Sequence, residues 1–280
     1  MTLRATIACS LFAAALAAAL AGCAVAPPAP TSAADVPEVR KGSGYLVGYL
    51  SERERPRSRA FLLPPPAEES PTHAHDLALA QAATALRGGE RWRIARMDAE
   101  LTFPAALASF SCALGFEPGE ASTPNLVMLL RRTLTDAGLT TYDAKNAYGR
   151  TRPFVALRQS SCTPQDEAFL SKDGSYPSGH AAIGWTWALL LAELAPARQD
   201  ALFARGLAYG RSRVVCGAHW PSDVEAGRAA GAATVAALRG NPVFGAQFAA
   251  ARREVAAQLL AAPPSPARCE VERDTLSTQP

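Results

Sequence analysis

The chain has 280 residues, 49% of them hydrophobic and 19% charged, with a formal net charge of +3. That length and apolar fraction suffice for one large domain or two small ones with a sizeable core. Acids and bases are spread along the chain without a basic block, which argues against a disordered charged tail and against nucleic acid as a specific partner. Alanine is abundant and β-branched residues are sparse, which favours helix over strand. Only four histidines occur, His73, His75, His180 and His219, so where they fall is informative.

Arg4 followed by the mostly apolar run 5–21 reads as a signal peptide over 1–22, too short for a bilayer span. Leu20-Ala21-Gly22-Cys23 resembles the lipobox of bacterial lipoproteins. That resemblance implies a mature chain that starts at Cys23 and is held by acyl chains in the periplasm or cell envelope, with no other membrane contact. Residues 23–60 hold prolines, glycines and charges without a long period and are expected to form a tether and lead-in. The main domain is placed at 61–262 and a proline-rich tail at 263–280. Leu62-Leu63-Pro64-Pro65-Pro66 must be extended, because proline fixes its own φ and pushes its predecessor out of the helical region. Helices are predicted at 76–86, 91–101, 104–114, 124–137, 142–150, 178–194, 198–212, 221–238 and 242–260. Several carry proline in the first turn or glycine just past the last. No stretch shows period-two alternation, and the longest internal apolar run, 181–192, is too short to cross a bilayer. The expected fold is all-α, a single helical domain.

Removing the signal peptide, which contains Cys9, leaves Cys112, Cys162, Cys216 and Cys269 besides Cys23. An even count in an exported protein predicts two disulfides. Of the three pairings, Cys112–Cys162 with Cys216–Cys269 is expected, the first closing a loop around the Lys145 segment. No C-x-x-C pair supports a zinc site, and His73 and His75, two residues apart, would not share a helix face. No metal and no cofactor are predicted.

Three segments concentrate chemistry: Lys145 to Arg152-Pro153, Gly174-Ser175-Tyr176-Pro177-Ser178-Gly179-His180, and Ser212-Arg213 to His219 and Asp223. Ser178 is placed to cap the helix that follows it, and Gly179 lets a ligand approach the backbone closely. The free N–H groups of a helix start attract an anion. Lys145, Arg152 and Arg213 could surround that anion, arginine forks matching phosphate oxygens. Asp223, in the first turn after His219, can hold one ring nitrogen and leave the other free to attack. His180 remains as a proton donor for a leaving alkoxide. Arg150 and Arg211, each two residues from one of these arginines, read as rim charges. Trp185 and Trp187 read as core.

Taken together, Lys-x6-Arg-Pro, Pro-Ser-Gly-His and Ser-Arg-x5-His-x3-Asp resemble the tripartite signature of the type 2 phosphatidic acid phosphatase superfamily, which includes the vanadium haloperoxidases. The stretch 174–180 resembles the signature of bacterial class A non-specific acid phosphatases, with Ala181 where those usually have threonine. The resemblance implies a helical bundle of that superfamily's type and makes 61–262 an acid phosphatase catalytic domain. It implies broad action on small phosphomonoesters, an acidic optimum, some phosphotransfer and no metal. By position, it makes His219 the nucleophile, Asp223 its partner, His180 the acid, and Lys145, Arg152, Ser178, Gly179 and Arg213 the phosphate ligands. A haloperoxidase or a lipid phosphate phosphatase built on the same ligands is the alternative. Homo-oligomerisation is left open.

Overall fold

The computed structural model describes residues 29–260 and 266–278. The helices are α1 (Pro71–Ala82), α2 (Glu90–Met97), α3 (Ser111–Leu114), α4 (Pro124–Thr140), α5 (Tyr142–Tyr148), α6 (Pro153–Ala156), α7 (Glu167–Leu170), α8 (Gly179–Leu194), α9 (Gln199–Val215), α10 (Pro221–Leu238), α11 (Pro242–Gln258) and α12 (Pro266–Ser277). Short 3-10 turns join several of them, and the described residues contain no strand, so the fold is all-α as expected. None of the described helices is long and apolar enough to cross a membrane.

The organising element is α8. Its residues are apolar on every face, which fits a helix surrounded by others rather than one at a surface. α4, α9 and α10 pack around it, and α11 lies on the outer side of α4. Trp187 sits at the middle of this core, 1% exposed, with its indole N–H donating to the Leu130 carbonyl at 3.1 Å and its ring edge-on to Phe103 and Phe110. Small residues bring α10 against the start of α8: a Cβ on Gly227 would collide with the Ser178 carbonyl oxygen. That close crossing sets the distance between the two helix starts that carry His180 and Asp223.

Several boundaries differ from expectation. α1 begins at Pro71, because the Ser70 hydroxyl accepts from the His73 N–H at 3.2 Å and caps it. α4 continues through Gly138 to Thr140. Its N-terminus is completed from outside, the Glu254 carboxylate of α11 accepting from the amides of Asn125 and Leu126 at 3.0 and 2.9 Å.

The segment expected to be a tether is, from residue 29 onward, part of the packed body. Val36, Leu46, Tyr49 and Leu50 are buried, and the buried carboxylate of Asp136 in α4 accepts from the amides of Tyr49 and Leu50 at 2.8 and 3.0 Å. The tail also differs: it carries α12, whose Glu272 lies 3.4 Å from Arg205. Its first residues, like 1–28 with the signal peptide and Cys23, lie outside the described part of the chain.

All four of the remaining cysteines are paired, but not as expected. The disulfides are Cys112–Cys269 and Cys162–Cys216, with Cα atoms 5.3 and 4.6 Å apart. Cys216 ends α9 beside the loop holding Cys162, whose N–H donates to the Cys216 carbonyl at 2.9 Å. Cys112 lies on α3 within reach of α12. Neither proximity leaves a trace in sequence spacing.

Candidate active site

Each of the three sequence segments ends at a helix terminus, and the bundle brings those termini together. α5 carries Lys145, and Arg152 is the N-cap of α6. Ser178 is the N-cap of α8, its hydroxyl oxygen accepting from the Ala181 N–H at 3.3 Å. α9 carries Arg213 near its end, and Asp223 sits in the first turn of α10. The loop before α8 runs close over α5: a Cβ on Gly174 would lie 2.8 Å from the Lys145 carbonyl oxygen, so only glycine passes there.

A cavity of about 840 Å³ opens at this junction. Lys145, Arg152, Asp173, Gly179, His180 and Arg213 form its inner wall, while Tyr45, Tyr142 and Phe169 stand among its more apolar lining. Gly179 and His180 are the first residues of α8, where helix geometry supplies no intrahelical acceptor for the amides. Ser178, fully buried, does not itself line the cavity. Its backbone N–H is committed to the Asp223 carbonyl at 2.9 Å, which leaves the hydroxyl proton as its available donor.

The three cations differ in their partners. Lys145 donates to the Gly174 carbonyl at 2.7 Å and lies 3.6 Å from the Asp173 carboxylate. Burial and the neighbouring Arg152 pull its ammonium down to about 8. Arg152 is saturated: Nη2 donates to Asp173 Oδ2 at 2.8 Å, Nε to the Leu170 and Asp173 carbonyls, and Nη1 to the Ala218 carbonyl at 3.1 Å. Arg213 is 2% exposed, and its Nε and Nη1 are buried without any hydrogen-bond partner among the described residues.

His219 is 2% exposed and packs behind Arg152, its Nε2 3.0 Å from Arg152 Nη1. A guanidinium nitrogen can only donate, so the Nε2 facing it is the unprotonated nitrogen, which assigns the ring proton to Nδ1. Nδ1 lies 3.5 Å from Asp223 Oδ2, a separation that a small closure would turn into a hydrogen bond. Asp223 Oδ2 already accepts from the Trp220 N–H at 2.8 Å. Burial, then Arg152, Lys145 and Arg213, hold the His219 imidazole well below its ordinary value, so it is neutral and its lone pair is available. His180 is likewise held low by burial first and Arg213 next. Its Nε2 donates to the Ala99 carbonyl at 3.0 Å.

Two residues in this site escaped sequence reasoning. Asp173, the internal counter-ion of Lys145 and Arg152, lies just before the Gly174 motif, but nothing in its own neighbourhood marks it. Arg150, expected at the rim, has a largely buried side chain that bridges Asp76, Ser222 and Asp223. Arg211 is half-buried. His73 stands 3.5 Å from the Arg150 guanidinium, a cationic neighbour unsuited to a metal ligand.

Known proteins share much of this sequence. Residues 126–241 match the family model of the PAP2 superfamily. An acid phosphatase of Zymomonas mobilis is 41% identical over 218 residues, covering 76% of this chain and 81% of its own length. Non-specific acid phosphatases of Salmonella typhimurium and Providencia stuartii are 41% and 42% identical, each covering 74% of this chain, with 83% and 84% of their own lengths matched. With an all-α bundle, three signature segments meeting at one cavity and this extent of identity, the chain belongs to the PAP2 superfamily and, within it, to the bacterial non-specific acid phosphatases, which are phosphoric-monoester hydrolases.

Proposed function

We propose that hydrolysis runs through a phosphohistidine on His219, with His180 as the general acid and with Lys145, Arg152, Arg213, the Ser178 hydroxyl and the first amides of α8 holding the phosphoryl group. The observation that carries this reading is Arg213: a buried guanidinium with two unpaired N–H groups, facing the cavity it shares with Lys145 and His180. A buried unpaired donor is costly, and a phosphoryl dianion supplies the missing acceptors.

In the first step the Nε2 lone pair of His219 forms the N–P bond as the ester P–O bond breaks. For this the Arg152 Nη1 must turn from Nε2 to a phosphate oxygen. The imidazole becomes cationic, and the Asp223 carboxylate, facing Nδ1, stabilises that charge. His180 gives its proton to the leaving oxygen. Since Nε2–H of His180 is committed to Ala99, the transferable proton is the one on Nδ1, present only in the imidazolium. Burial and Arg213 disfavour that cation in the empty site; an acidic medium and the bound dianion favour it. In the second step a water loses its proton to His180 and attacks phosphorus, breaking the N–P bond. An alcohol in place of water gives phosphotransfer. Export and an acyl anchor at Cys23 belong to the same proposal, and the mass of the mature N-terminus tests them.

Leaving groups separate the two histidines. A nitrophenolate leaves with little need of a proton, whereas a sugar alkoxide needs one. His180→Ala is expected to lose about 10²–10⁴-fold on sugar phosphates and much less on nitrophenyl phosphate. His219→Ala should lose both and fail to form the acid-labile phosphoprotein that rapid quenching traps in the wild type. A phosphoprotein that persists in His219→Ala and vanishes in His180→Ala would reverse the roles.

A further inference from the structure

Arg150 forms no part of the cavity wall, yet its guanidinium is held by partners on two other helices. Its Nη1 donates to Asp223 Oδ1 at 2.6 Å and to Ser222 Oγ at 2.7 Å, and its Nη2 donates to Asp76 Oδ2 at 2.8 Å. Asp76, on α1 and 1% exposed, accepts in turn from the Ser222 N–H at 2.9 Å and the Ser222 hydroxyl at 2.5 Å. The guanidinium also lies 5.5 Å from the centre of the Trp220 ring, whose indole N–H donates to the Thr151 carbonyl at 2.8 Å. Arg150 thus ties α1 and the loop after α5 to the first turn of α10, at the carboxylate that faces His219.

We propose that Arg150, shared between Asp76 and Asp223, is a positioning residue for the phosphoryl-transfer step: it fixes the Asp223 carboxylate with Oδ2 toward Nδ1 of His219 and sets the charge that carboxylate presents. This rests on the reading of His219 as nucleophile.

Orientation follows from the division of acceptors. Oδ1 of Asp223 is taken by Arg150 and Oδ2 by the Trp220 amide, so the carboxylate is held at both oxygens and cannot swing away from the imidazole. The charge argument explains why Asp76 is present. Arg150 paired with Asp223 alone would neutralise the carboxylate that must stabilise a cationic phosphoimidazole. With Asp76 added, two carboxylates share one guanidinium, and the cluster keeps a single negative charge to offset the positive charge that develops on His219. Asp223 is buried completely, which pushes its carboxyl up, while Arg150, the Trp220 amide and the Ser175 hydroxyl pull it back down. Lys145 and Arg152, on α5 and at the start of α6, also feel its charge, and Tyr176, before α8, is pushed up to about 12 by burial and by Asp223. Of all these groups, only Arg150 forms an ion pair with Asp223 through a direct hydrogen bond.

The test measures kcat, KM and phosphoenzyme formation from nitrophenyl phosphate across pH for wild type, Arg150→Gln, Arg150→Lys and Asp76→Asn. Removing an outer partner of an active-site group typically costs about 10–100-fold, and that loss is expected in kcat for Arg150→Gln with KM within about threefold of wild type. The acid limb of its kcat profile should move to higher pH, since Asp223 without its cation is protonated more readily. Arg150→Lys should recover part of both. Asp76→Asn leaves Arg150 wholly to Asp223, so its acid limb should move the opposite way, to lower pH, with kcat still reduced. This variant also serves if Arg150→Gln fails to fold. An Arg150→Gln enzyme with unchanged kcat and pH profile, or the two variants shifting in the same direction, overturns the inference while leaving the phosphohistidine reading intact. A wild type that turns over without any trappable phosphoenzyme overturns both.

Discussion

If phosphate binds as proposed, it replaces Asp173 as the anion facing Lys145 and Arg152, so removal of Asp173 has a calculable consequence. Its Oδ2 lies 2.8 Å from Arg152 Nη2 and 3.6 Å from Lys145 Nζ, with all three side chains largely buried. The gross attraction at such distances is about 5 kcal/mol per pair at an effective dielectric of about 20. Desolvation removes most of this, leaving a net value of about 1.5–3 kcal/mol for a hydrogen bond between charged groups. Asp173→Asn keeps the shape and deletes the charge. The empty enzyme then holds two under-compensated buried cations, and bound phosphate relieves them. The variant should therefore melt roughly 5 °C lower without ligand, taking about 2 kcal/mol and the slope for a domain of this size. It should bind inorganic phosphate about 10–100-fold more tightly, the same energy read as affinity. At saturating phosphate the two melting temperatures should converge. The comparison belongs near pH 6, where Lys145 is charged: Asp173 supports that charge, and without it the ammonium falls further below about 8. Calorimetric titration with phosphate and thermal melts with and without it decide the matter. Phosphate affinity that is unchanged or weakened in Asp173→Asn refutes the displacement argument.

Lys145, lowered to about 8 mainly by burial, is protonated below that pH and neutral above it, so the inhibition constant of phosphate should rise as pH passes through about 8. Lys145→Arg should flatten that rise, and a wild-type constant independent of pH between 7 and 9 counts against the role of Lys145. The disulfides close separations of 54 and 157 residues, worth roughly 4 and 5 kcal/mol on the chain-entropy model. Peptide mapping without reductant should recover Cys162 linked to Cys216 and Cys112 linked to Cys269. Replacing Cys162 and Cys216 together by serine should lower the melting temperature by roughly 10 °C.

The sequence signals that agree with the structure are those in which the deciding residue lies within a turn of its effect. α10 begins and ends where Pro221 and the last apolar residue, Leu238, put it, because proline at the first turn acts locally. α1 starts five residues before its predicted position. The cap that starts it, Ser70 before Pro71, lies ahead of the apolar run that begins at Leu77. The larger differences depend on long-range partners. Gly138 looks like a helix stop, but α4 is sustained past it by packing on α8 and by the Thr140 hydroxyl bonding to the Asp136 carbonyl at 2.9 Å. The packing of 29–60 depends on Asp136, some ninety residues on, accepting from Tyr49 and Leu50. The cysteine pairing depends on α12 lying near α3, a contact between chain segments 157 residues apart.

The same distinction explains why the cations of the site were legible and their counter-ions were not. Arg150 and Arg152 are two residues apart and chemically identical, so only the Lys-x6-Arg-Pro pattern separates them in the sequence, and it does not say what Arg150 does. Their partners decide it. Arg150 is bound by two buried carboxylates and the Ser222 hydroxyl and does not line the cavity. Arg213 has two buried donors with no acceptor among the described residues, and the proposed function has a phosphoryl group supply it. Arg152 stands between them: it is fully bonded, but to Asp173 and to the proposed nucleophile, groups whose charge or bonding must change during turnover. A motif marks the positions where cations are needed. Whether a given cation binds, positions or exchanges partners depends on acceptors that reach it from α1, from the loop before α8 and from the first turn of α10.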